Sequence, residues 1–154
     1  ETFTNTNECE NEIIDGMKYI EELYATSIQT IVFDSDIDDW SETKSTFTEK
    51  IIGKDKLLFY IETECGKIFG CYINNKIEKI GVFVEDKSAF TFKVDDEYAM
   101  IFPIECCDKA LKICNDDKLM IIGFEDVVIM KDGSKNKSFS NERIRTYNYK
   151  YDND

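Results

Sequence analysis

Residues 56–94 read KLLFYIETECGKIFGCYINNKIEKIGVFVEDKSAFTFKV. Within them KLLFYIET, KIFGCYIN, EKIGVFVE and SAFTFKV are runs of strand length, rich in β-branched and aromatic residues. Such residues suit a pleated, half-buried surface. The short segments ECG, NNK and EDK between them carry the turn-forming types Gly, Asn and Asp. The spacing leaves no room for a crossover helix, so neighbouring strands are expected to pair antiparallel.

Downstream the texture continues through EYAMIFPI, ALKIC, KLMIIGF, DVVIMK and RIRTYNYK, ending at Lys150. Strand after strand with regular turn signals belongs to two antiparallel sheets packed face to face, not to βαβ units. Pro103 is the only proline and is expected at a sheet edge or bulge, since it cannot donate to a ladder. Upstream, NEIIDGMKYIEELYA places Ile13, Met17, Ile20 and Tyr24 at spacings of three and four, an amphipathic helix weakened by Gly16. SETKSTFTEKIIGK offers a second, short helix with Ser41 as cap, Phe47 and Ile51 on one face and Gly53 as stop. The expected class is therefore α+β: mainly an antiparallel β-sandwich of two sheets, with an N-terminal helix and a short helix after the first strand. Residues 1–10 are polar and expected to be a flexible N-terminal segment, and residues 11–154 a single domain.

Composition narrows the function classes. The 154 residues are 42% hydrophobic and 13% aromatic, which is globular and not disordered. Acidic residues number 32 against 19 basic ones, a formal net charge of -13. That balance repels phosphate backbones and anionic membrane surfaces, so neither nucleic-acid binding nor membrane insertion is expected. Histidine is absent, which removes the commonest general base and every Ser-His or Cys-His catalytic pair. The six cysteines are Cys9, Cys65, Cys71, Cys106, Cys107 and Cys114. They form no C-x-x-C pair, and in a chain this size they read as reduced, mostly inert thiols of a cytoplasmic protein. Adjacent Cys106 and Cys107, if on a strand, point to opposite faces. Phe69, Phe83, Phe90, Phe92, Phe102 and Phe124 read as sandwich core, because no basic residues interleave with them.

The candidate site is TIVFDSDIDDW, residues 30–40. Asp34, Asp36 and Asp38 have the spacing of the first calcium ligands of an EF-hand. That loop then needs glycine where Asp39 stands and a bidentate glutamate where Ser45 stands, and both demands fail. The three aspartates are thus weak metal candidates. IVFDSD also resembles the first motif of haloacid-dehalogenase-type phosphatases, in which an apolar strand delivers a nucleophilic aspartate. That resemblance implies a magnesium-dependent phosphatase using Asp34 and Asp36 on a parallel doubly wound sheet. A third reading takes the aspartates as the polar end of a strand, turning into a helix that Asp39 or Ser41 caps.

The surroundings favour this third reading. The Asp34-Ser35-Asp36 turn leads into a short helix and a strand rich in Leu and Ile. A G-x-x-F-G-x-Y segment follows, here Gly66, Phe69, Gly70 and Tyr72, then the F-x-F strand SAFTFKV and the late hairpin IIGFEDVVIMKDGSKNKSFS. In order and spacing this resembles a TLDc domain over roughly residues 28–150. The chain departs from better-known members by lacking their glycine-rich run and late S-x-x-C-x-T-F-x-N stretch. The resemblance implies a non-enzymatic interaction or regulatory domain without a cofactor, in oxidative-stress protection or in regulation of the vacuolar proton pump through its subunits. It also allows a regulatory module attached to an upstream coiled coil.

Overall fold

A computed structural model of the chain describes residues 30–94, 99–124 and 126–140. Among the described residues, nine strands in two sheets carry the architecture. Sheet one contains β1 (Leu57–Glu62), β2 (Ile68–Ile73), β4 (Phe90–Val94) and β5 (Ala99–Pro103), in the order β1-β2-β4-β5. Sheet two contains β3 (Phe83–Val84), β6 (Leu111–Ile113), β7 (Lys118–Ile122), β8 (Val127–Met130) and β9 (Phe139–Ser140), in the order β3-β6-β7-β8-β9. Every strand pair is antiparallel, so the turns, not crossovers, set the topology. A short helix, α1 (Phe47–Ile51), precedes β1.

Period-two alternation explains the layering. Along β1 and β2, Phe59 and Ile61, with Cys71 and Ile73, face inward, while Tyr60 and Ile68 belong to a second cluster on the opposite face. From sheet two, Leu111, Ile113, Met120, Ile122 and Ile129 meet the inward set in one continuous core. Phe47 and Ile51 of α1 also enter that core, and Phe47 packs edge-on against Phe33 at 5.0 Å. Gly53, at φ +84°, ends the helical segment as expected, because only glycine takes that conformation without strain. Pro103 is the last residue of an edge strand, where its missing N–H costs no ladder bond.

Several expectations change. The apolar run Thr30–Phe33 forms no strand: Phe33 is buried, but Ile31 is 55% exposed. Ser41 does not cap α1. The N-cap is Thr46, whose side chain makes no capping bond. Cys106 and Cys107 lie at a one-turn 3-10 helix (Cys107–Lys109), not on a strand. The expected N-terminal helix around Ile13–Tyr24 and the strand RIRTYNYK lie outside the described residues, as does Cys9. Among the described residues, no helix is long and apolar enough to cross a membrane.

Candidate functional site

The aspartate cluster is a self-contained turn. The carbonyl of Asp34 accepts the N–H groups of Ile37 (3.0 Å) and Asp38 (2.7 Å), winding the chain into a single loop. Side chains then lock it. Asp38 Oδ2 accepts the Asp34 N–H at 2.8 Å, and Asp34 Oδ1 accepts the Asp36 N–H at 3.0 Å. The other Asp38 oxygen receives the Lys50 ammonium from α1, tying turn to helix. That ammonium first, and the Asp34 N–H second, hold the Asp38 carboxyl below the usual carboxylate range. Ser35 occupies the second position of the turn.

A second turn follows immediately. Asp39 Oδ1 accepts both the N–H (2.9 Å) and the hydroxyl (2.6 Å) of Ser41, and Ser41 Oγ accepts the Lys44 N–H at 3.2 Å. These bonds lower the Asp39 carboxyl as well. The Asp39 carbonyl takes the Thr46 N–H at 2.7 Å, so Asp39 stabilises the approach to α1 and not its first turn. Trp40 and Glu42 exchange backbone bonds with Asp132, which anchors the segment to the loop after β8. Asp34, Asp38 and Asp39 thus spend carboxylate oxygens on backbone N–H groups, the Ser41 hydroxyl and one lysine. The Asp36 carboxyl is pushed up by burial and then by the neighbouring Asp34. Among the described residues, no group of three cysteine, aspartate or glutamate side chains could hold a metal ion. Nor does Asp34 end a parallel strand, as the phosphatase reading requires, since the sheets are antiparallel throughout.

The G-x-x-F-G-x-Y residues fall on the β1–β2 hairpin, each with a separate structural task. Gly66 takes φ +86° in the turn, and its N–H reaches the Thr63 carbonyl at 2.9 Å. Phe69 packs against the inter-sheet core. Gly70 lies where a Cβ would come within 1.7 Å of the Phe59 carbonyl oxygen and 2.7 Å of the Phe92 ring. Tyr72 stacks on Phe90 at 5.2 Å with 20° between the rings. The hairpin and the loop after β8 both line a cavity that Trp40, Ile61, Phe69, Phe102, Ile122 and Ile129 also border.

A family model described as TLDc domain matches residues 9–153. The chain belongs to the TLDc domain family. No curated protein and no solved structure matches it.

Two further features of this TLDc domain escape a reading of the sequence. Asp86 is buried, with Oδ2 accepting the N–H groups of Asn74 (2.6 Å) and Asn75 (3.0 Å) and Oδ1 that of Ser88 (2.9 Å). It clamps the excursion between the two sheets, yet EDK reads only as a turn. The second is the pair Phe83 and Phe124. Both are expected in the core, but Phe83 is only half-buried and Phe124 is 44% exposed. The five described cysteines are free thiols. Cys71 and Cys114 are buried, and desolvation pushes both thiols up. Cys65 is exposed in the β1–β2 turn, and the Thr63 hydroxyl at 3.2 Å holds its thiol below the usual range.

Proposed function

We infer that this TLDc domain is a non-enzymatic interaction domain of the cytoplasm, contributing to oxidative-stress protection or to regulation of the vacuolar proton pump by binding its subunits. The observation that carries the reading is the aspartate turn. Asp34 and Asp38, two of the three aspartates that the sequence offers for chemistry, are engaged in holding the backbone and Lys50. Carboxylates satisfied in this way support a scaffold more readily than a nucleophile or a cation site. The absence of histidine from the whole sequence and the net charge of -13 point away from acid–base catalysis and from nucleic acid.

The test is direct binding. The purified chain is titrated into solubilised vacuolar proton pump and into its separated cytosolic sector, before and after peroxide treatment. The reading expects saturable binding to at least one pump preparation. No binding to any of them, with or without peroxide, would remove the pump from the proposal.

A further inference from the structure

A surface on the open end of sheet two has the chemistry of a docking site. β3 is an edge strand, and Phe83 sits opposite Lys112 of β6. The Phe83 and Phe124 rings lie 5.9 Å apart, tilted by 55°. The Lys109 ammonium stands 4.2 Å from the centre of the Phe124 ring, and that of Lys112 stands 5.3 Å from the centre of the Phe83 ring. Both lysine-over-ring contacts found among the described residues fall on this one patch. The chain leading into β3 adds Ile80 and Val82, 41% and 51% exposed.

The charge of this patch is out of character for the molecule. In a chain with 32 acidic residues, neither Lys109 nor Lys112 forms an ion pair with a carboxylate among the described residues. Their ammonium groups rest on aromatic faces, which hold the side chains in place. Exposed rings with large apolar neighbours mark interaction surfaces when they cluster. Aromatic side chains are enriched at interface centres, and lysine charges suit the polar rim around them.

We propose that Ile80, Val82, Phe83, Phe124, Lys109 and Lys112 form a docking surface for an acidic segment of a partner protein. An apolar side chain of that segment packs against Phe83 and Phe124, and its carboxylates face the two ammonium groups. Complementarity selects the partner: the remaining surface of a chain at -13 repels acidic peptides, so a productive encounter is steered here. The inference rests on the interaction reading and adds the place and chemistry of contact.

The experiment screens the whole chain against a random display library of short peptides, with phosphatidylserine vesicles as a second arm. Enriched peptides are expected to be acidic and to carry an aromatic residue or leucine. Phe124→Ser should weaken a selected peptide about tenfold or more, the scale of one interface anchor. The double variant Lys109→Glu, Lys112→Glu removes two lysine-over-ring contacts and should lower the melting midpoint by no more than a few degrees while losing acidic peptides and gaining basic ones. Enrichment without acidic bias, no enrichment at all, or selection unchanged in the charge-reversed variant would overturn the proposal. So would binding only to the anionic vesicles. Charge reversal that abolishes peptide selection but leaves pump binding intact would separate this surface from the broader interaction reading.

Discussion

Gly70 shows how tightly one position can be held. A methyl group there would meet the Phe59 carbonyl oxygen at 1.7 Å, and a backbone atom within a paired sheet cannot rotate away. Gly70→Ala should therefore cost about 3 kcal/mol or more, at the upper end of overpacking penalties. Its melting midpoint should fall by several degrees for a domain of this size. Asp86 makes the complementary case for a buried acceptor. Asp86→Ala leaves three N–H groups without their partner and should cost about 3 kcal/mol in chemical denaturation, with Asp86→Asn milder. Asp38 adds a pH signature. Its carboxyl is lowered in the folded state, first by Lys50 and then by the Asp34 N–H. Its contribution is therefore complete above the ordinary carboxylate range and is lost as pH falls through the lowered folded value. The stability gap between wild type and Asp38→Asn should be widest near neutrality and close on acidification. A gap that widened in acid would contradict the ion-paired assignment.

At the scale of elements, most strands lie within a residue or two of where alternation and turn signals put them, because one side chain in two must reach a shared core. The exceptions have physical causes. Thr30–Phe33 has strand composition but acquires no partner strand, and only Phe33 finds the core. Phe83 and Phe124 look like core residues in one dimension, yet Phe83 is half-buried and Phe124 exposed, with lysines from β6 and the preceding 3-10 turn over their faces. The hairpin turn at Cys65 makes a testable contrast with the strands that flank it. Limited alkylation of the native protein should modify Cys65 first, helped by the Thr63 hydroxyl, and leave Cys71 and Cys114 until the sheets open. Thr63→Val should slow the first modification. Labelling of Cys71 as fast as Cys65 would mean that sheet one opens readily.

For the whole molecule, the two-sheet sandwich and the TLDc pattern were legible because both depend on the order of many weak signals along the chain. The candidate site was legible only as a cluster of aspartates. Whether such a cluster binds a cation, attacks a substrate or braces a turn depends on where each oxygen points. That follows from bonds such as Asp38 to Asp34 and Lys50, which no spacing rule contains. The central claim is that Asp34, Asp38 and Asp39 brace the fold and that the domain acts by binding. Turnover of p-nitrophenyl phosphate with magnesium, compared between wild type and Asp34→Asn, tests it most directly. The account predicts no hydrolysis above buffer from either protein. Magnesium-dependent turnover by the wild type that disappears in Asp34→Asn would contradict it.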